Sequence, residues 1–454
     1  MKRRLIPLAV VVLALAVVYG AGWLSSSAAS PATATGRTTA VNSVVRACPG
    51  GSRIAVAAVP EPGDLTGTAT LSAVGGTSRP VTLTTPRIDS LVTAPAGATE
   101  VSASGAMAEG LTAEQTTTAG MSTVRCDDPS SDLWFAGTGQ GAGATDILVY
   151  LIDTDSLPAT VNITIMTDSG TVQNDAFSGI TVPAHQTVTE SLATTVTGSQ
   201  AISLNVVATS GRVAADVWEG TSATAGTWLP SAAAPANTVI VPGLSAASSA
   251  ARLFVAVPGG TNASVKVTAL TPQGKFAPFG STPLSAPGSA ASEFALTSLG
   301  AGASAIELTS NVPITAAVLV PGNGIGAVTA AAGPLDQQGV IAGNPTNGGY
   351  ATSVLLSAPS GAARVAVTTI PAAASGPIDV TLPAGRTVSV SVPSAKGAQG
   401  AFVIIVTPQA GSGPVYAARV VNAGGSIASI LPVESAPTTI TLPPVQQTYT
   451  AILP

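Results

Sequence analysis

The sequence predicts an all-β chain of tandem immunoglobulin-like β-sandwich repeats behind an N-terminal hydrophobic helix. Three observations lead there. First, hydrophobic residues reach 46% while aromatics stand at 4% and charged residues at 9%. The apolar mass is therefore Ala, Val, Leu and Ile; Val and Thr favour strands because a branched Cβ packs well on a pleated surface, and 48 Gly and 35 Pro separate those strands with turns. Second, the chain is similar to itself at a period of about 100 residues. Third, each copy alternates apolar and polar residues in short runs, with turn signals every ~8–12 residues.

Residues 1–40 read as a signal or anchor segment followed by a Ser/Thr/Ala-rich linker. Lys2, Arg3 and Arg4 precede residues 5–24 (LIPLAVVVLALAVVYGAGWL), which carry no charge. Basic residues retained on the cytoplasmic side orient such a segment with the rest of the chain outside. A secretory core is usually about 7–15 residues long, whereas about 20 span a bilayer, so length favours an uncleaved, single-pass membrane anchor. Ser27-Ala28-Ala29 and Ala32-Thr33-Ala34 are small-residue triplets of the cleavable kind and favour a secreted product. Either way the expected location is extracytoplasmic. Cys48 and Cys126 are the two cysteines, and an even, low count in an exported chain reads as one disulfide.

The repeats follow as residues 41–126, 127–235 (with a linker), 236–337 and 338–422. ATVNITIMTDSG (159–170), ASVKVTALTPQG (263–274) and ARVAVTTIPAAASG (363–376) place Val161, Val265 and Val365 at equivalent positions. VPAHQTV (182–188) matches LPAGRTV (382–388), and the closing strands share the pairs Ala214-Ala215, Ala316-Ala317 and Ala417-Ala418. The first copy, with VVRACPG (44–50) and RIAVAAV (53–59), is weaker but in phase. Each copy reads as about seven strands, the pattern of a sandwich; the alternative is a β-propeller in which each copy supplies two blades. Residues 423–454 read as a Pro-rich C-terminal β tail, which Pro443 and Pro444 exclude from a central strand.

The same residues exclude several functions. The net charge is −5 without a basic patch, so no nucleic acid is expected as a partner. His185 is the single histidine, which rules out a His-rich metal site and leaves one possible base for a Ser-His-Asp triad. Its equivalence to Gly385 marks a turn. Asp127, Asp128 and Asp132, and likewise Asp153 and Asp155, can offer oxygens to Ca²⁺, but they match no calcium-loop pattern and read as solvated loop carboxylates. No metal, cofactor or catalytic residue is assigned. Trp134, Phe135 and Trp218 are candidate partner or glycan contacts through their rings, with core or inter-module packing as the competing reading. An enzyme would show itself by a deep pocket holding two or more carboxylates from different repeats.

ACPG (47–50), Cys126 ahead of Leu133-Trp134-Phe135-Ala136-Gly137, and the recurring strand, P-A-G turn and V-A-A units together resemble an uncharacterised family of exported actinobacterial proteins, domain of unknown function 5719. The resemblance covers most of residues 40–430. It implies an extracytoplasmic setting and Cys48–Cys126 pairing, and it carries over no catalytic residue. The expected role is a non-enzymatic envelope protein, structural or scaffolding, that meets a cell-wall or envelope protein partner. The alternative is a wall-glycan-binding or adhesion module.

Overall fold

Short Val- and Thr-rich runs bounded by Gly and Pro form strands along nearly the whole chain. The computed structural model describes residues 10–17, 19 and 36–443, apart from 51–52, 61–65, 78, 81–87, 94–96, 118–120, 223–224, 246–249, 297–298, 300–301, 303, 323–325, 347–348, 371–375 and 394–400. Of the apolar N-terminal segment, residues 10–17 and 19 are helical and exposed. The remainder of that segment and both cleavage-like triplets lie outside the described residues. Among the described residues, no helix is long and apolar enough to cross a membrane.

Residues 40–438 form one compact unit and the described residues of 1–39 and 439–454 belong to another; a separate two-stranded sheet pairs Arg37–Ala40 with Thr439–Leu442. The fourth repeat illustrates the shared plan of the larger unit. One sheet has the order Gly339–Pro345, Ala401–Pro408, Ala363–Ile370, Ile378–Leu382; the other has Arg386–Val392, Tyr350–Ala358, Tyr416–Ala423, Ser426–Val433. Apart from the two hairpins, Ala363–Ile370 with Ile378–Leu382 and Tyr416–Ala423 with Ser426–Val433, chain-consecutive strands switch between two facing sheets. Both sheets fill one core, with Ile341, Val365 and Ile404 from the first meeting Val354, Val390 and Ala417 from the second. Blades of a propeller would each keep a separate sheet, so the sandwich reading holds and the propeller does not.

The other three repeats have the same strand order. In the third, one 17-residue strand, Ser304–Val320, crosses from the first sheet to the second. Elsewhere the corresponding strand breaks in two, as in Ala201–Ser210 and Ala214–Ser222 around Gly211 (φ 73°). Each copy carries at least eight strands, one more than the sequence suggests. The extra one is the closing edge strand. In the fourth repeat it is Ser426–Val433, which the sequence reading leaves in the tail. It pairs with Tyr416–Ala423 through Gly424 and Gly425, at φ 58° and 86°, the backbone signs a two-residue hairpin needs.

The Pro-Ala turn, Pro287-Gly288 in the third repeat, also recurs with its geometry. His185, Ser289 and Gly385 occupy it at φ 52°, 55° and 74°. The lone histidine is therefore a turn residue, as its match to glycine implies.

The four sandwiches pack head to tail. In each case the first sheet of one repeat rests on the second sheet of the next. Ala47 and Ala98 of the first meet Ile152 and Ala214 of the second. Phe254, Ala317 and Leu319 of the third extend the core of the second, and Leu355, Ala418 and Ile430 of the fourth extend the core of the third. The fourth then returns to the first, with Val340, Ala342, Val403 and Ile405 against Ala55 and Ala57. The approach there is close: a Cβ on Gly343 (φ 66°) would stand 2.9 Å from that of Ala55. Head-to-tail contacts between like units generate rings when the rotation closes, and within residues 40–438 it closes after four.

Candidate functional site

The connections after the first, second and third sandwiches, and the exit from the fourth, converge on one cavity of 420 Å³. Isolated backbone bridges pin them there: Ala47 with Asp127, Trp134 with Ala232, Ile240 with Ala332, and Gly339 with Ser435. Short Pro-containing links (Pro129, Pro235, Pro334 and Pro437) supply the bends, because each lacks an N–H and fixes its own φ.

A chain with few charges concentrates them around this cavity. Asp127, Asp128, Asp132, Asp336 and Glu434 line it together with Arg46. Arg46 Nη1 lies 2.6 Å from Asp128 Oδ2 and also donates to the Leu111 carbonyl at 3.2 Å through Nη2. Arg125 Nη1 donates to Glu434 Oε2 at 2.8 Å. Burial lowers the Arg46 pKa, with Asp128 opposing it. Burial also works against Arg125, but Glu434, Asp127 and Glu114 outweigh it and hold its pKa raised. Asp127 is buried and pushed up to about 7, by burial first and then by Glu434, while Arg125 and a Ser231 hydrogen bond pull the other way.

Two further carboxylates of the second repeat are buried, Asp216 on the face turned to the first repeat with Ala214 and Trp218, and Glu219 toward its own core. Asp216 Oδ2 has no hydrogen-bond partner among the described residues, and burial followed by the Asp127 charge raises its pKa well above the usual range. Glu219 faces the core beside Gly137 and accepts from the Thr138 hydroxyl. Burial pushes it up to about 8. At neutral pH, Glu219 is therefore mostly a neutral carboxylic acid.

The fourth and first repeats are locked by a separate pair. Arg419 Nη1 donates to Glu114 Oε2 at 2.9 Å, and Glu114 Oε1 accepts the Ala342 N–H at 2.8 Å. Burial raises the Glu114 pKa and Arg419 opposes that shift.

The residues singled out in the sequence take these places. Cys48 and Cys126 form a disulfide, with Cα atoms 4.4 Å apart, tying the first strand of repeat one to the residue following its last. The glycan-platform expectation is corrected, because the rings are interior. Phe135 is in the core of the second repeat. Trp218 packs edge-on against Trp228, centroids 4.9 Å apart, with Val124 of the first repeat in the same cluster. Trp134, 8% exposed, lines the cavity, and its indole N–H has no acceptor among the described residues. Alanine-rich cores leave room that only large rings fill, which draws them inward. Asp153 accepts the Asp155 and Ala159 N–H groups at 2.7 and 3.0 Å, and Asp155 pairs with Arg212; these oxygens hold a turn together. Asp127, Asp128 and Asp132 do gather at the cavity, yet no group of three or more His, Cys, Asp or Glu is placed to hold a metal among the described residues. Sequence reasoning misses Arg46, Arg125, Glu114, Arg419 and Glu434. Their one signal is the rarity of charge, which for Arg46, Glu114, Arg125 and Arg419 falls inside strands.

A protein-family profile described as a family of unknown function matches residues 88–393. No curated protein matches the chain. Among solved structures, a mutant of the major pilin from Streptococcus pyogenes aligns at 10% identity over 59% of this chain and 95% of that one, with a TM-score of 0.12. An anti-sigma factor domain-containing protein from Clostridium clariflavum aligns at 8% identity over 73% and 85%, with a TM-score of 0.13. Scores this low carry no argument about fold or function.

Proposed function

The chain belongs to the family of unknown function DUF5719, and on that premise we propose that it is a non-enzymatic scaffold of the cell envelope, presenting four joined β-sandwiches to an envelope protein partner. The observation that carries this reading is where the buried charges go. Arg419–Glu114 and Arg125–Glu434 each join the fourth repeat to the first, and Arg46–Asp128 closes the end of the first. Among the described residues, the two ion pairs that join separate sandwiches both fasten the fourth to the first. Export, with residues 5–24 as anchor or cleaved signal, is part of the proposal; the basic N-terminus, the uncharged run and the disulfide support it. Protease added to intact cells is expected to cut the protein, and crosslinking in the cell to trap an envelope protein. Full protection from protease would contradict the location.

One observation favours a second reading, a hydrolase. The cavity holds carboxylates from separate repeats, and Asp127 at about 7 suits proton transfer near neutral pH. Against it, Asp128 and Glu434 already face arginines. Turnover of wall glycan, peptide or ester substrates decides between the two. The scaffold expects none, and turnover abolished by Asp127→Asn would establish the hydrolase.

A further inference from the structure

The outer face of the third repeat carries a groove of 370 Å³ lined by Lys266, Thr268, Lys275, Phe276, Glu307 and Thr309. We infer that this groove binds an anionic, carboxylate-bearing polysaccharide, one sugar ring stacking on Phe276 while the Lys266 ammonium meets a carboxylate.

Register assembles the groove. Lys266 pairs across the sheet with Thr309, and Thr268 with Glu307, so these four share one face, on which Lys266 and Thr309 are exposed and Thr268 and Glu307 half-buried. The Gly274 hairpin returns Lys275 and Phe276 beside them, where Lys275 Nζ donates to Glu307 Oε2 at 2.7 Å. Lys266 forms no ion pair among the described residues. Two cations against one carboxylate leave a single net positive charge, in a chain whose own net charge is −5 and which has four lysines in all. One net charge matches a monoanionic sugar residue. The two threonine hydroxyls can both donate and accept, as a polyhydroxylated ligand requires.

The repeats themselves argue that this chemistry is not needed for folding. The position of Lys266 is Asn162 in the second repeat and Ala366 in the fourth. The same turn, closed by Thr167 on Gly170 and by Thr271 on Gly274, is followed by Val172 in the second repeat and Phe276 in the third. Val172 packs on its core, whereas Phe276 is 44% exposed. An apolar ring held out of the core next to cations and hydroxyls is the opposite of what turned Trp134, Phe135 and Trp218 inward. Arg386 of the fourth repeat, donating to the Pro272 carbonyl, adds a further cation at the margin.

Affinity electrophoresis of the full chain through gels containing polygalacturonate, neutral dextran or polyphosphate tests the assignment. Retardation by polygalacturonate alone, reversed by salt, is expected. Phe276→Ala is expected to weaken it about tenfold, and Lys266→Gln by a factor of ~3–10, with unchanged melting temperatures because both side chains are exposed. Absence of retardation by polygalacturonate would overturn the inference. So would retardation that Phe276→Ala leaves intact, or equal retardation by polyphosphate, since either reduces the groove to bare charge. None of these outcomes depends on whether the scaffold reading holds.

Discussion

Arg419 and Glu114 are 305 residues apart in sequence, yet their side chains meet at 2.9 Å and are 1% and 3% exposed. One lies in the fourth sandwich and the other in the first, so this contact closes the cycle. Removing one partner leaves the other charge buried without compensation, at a cost of about 3–5 kcal/mol. Glu114→Gln and Arg419→Met are each expected to lower the denaturant midpoint sharply. The double variant should recover part of the loss, because two neutral groups avoid desolvating any charge. Additive losses in the double-mutant cycle would show that the two residues do not interact.

The disulfide acts within the first repeat. Cys48 and Cys126 close a loop with a sequence separation of 78, which in the chain-entropy model stabilises by about 4–5 kcal/mol. Urea unfolding of the Cys48→Ala/Cys126→Ala variant should reveal a loss of that size. The loss should be greatest for the first repeat, seen as lowered hydrogen-exchange protection in Arg53–Ala58.

Stability should fall as pH rises. Folding lifts Glu219 from 4.5 to about 8 and Asp127 from 3.8 to about 7, so the folded chain holds protons that the unfolded chain releases. The stability these protons confer is complete below about pH 4 and is lost as pH rises through 7 and 8. Melting temperatures measured from pH 5 to 9 should decline accordingly. Glu219→Gln keeps the shape of the neutral acid, so it should flatten the decline and raise the melting temperature at pH 9. A variant with the parent's pH slope would show that Glu219 does not titrate there.

The shared turn gives a local test. His185 sits at φ 52° where the fourth repeat has Gly385 at φ 74°, and the left-handed region costs a residue with a Cβ about 1–2 kcal/mol. Gly385→Ala is expected to destabilise by roughly 1 kcal/mol. His185→Gly should be neutral or slightly stabilising, since relief of strain is offset by the greater freedom of glycine in the unfolded chain. Any activity lost with His185→Gly would instead give the histidine a chemical role.

How far the sequence reveals this protein depends on the range of each interaction. Strand content and repeat period are local properties, carried by alternation around Val161, Val265 and Val365 and by turns such as the one at His185. They can be read without the fold. The closing edge strand Ser426–Val433 is harder, because Gly424-Gly425 resembles a linker as much as a hairpin until its partner strand is known. The junction cavity is harder still. Arg46 and Arg125 come from separate strands of the first repeat, and only the return of the fourth sandwich brings Glu434 to them. Trp134, Phe135 and Trp218 mislead for a related reason. A rare aromatic in an alanine-rich chain looks like a surface device, whereas packing uses it to fill the spaces small side chains leave. Phe276, the exposed ring, carries no mark in the sequence beyond its lysine neighbour.

Closure of the four sandwiches into a cycle is the central claim, and the Ala342 amide reports on it directly. Ala342 falls in the irregular stretch between Ile341 and Asn344, off the strand ladder, and its N–H donates to Glu114 Oε1 of the first repeat at 2.8 Å. Residue-resolved hydrogen exchange should find this amide protected to the level of its ladder neighbours, with protection lost in Glu114→Ala. Fast exchange of Ala342 in the unmodified chain would mean that the fourth sandwich does not return to the first.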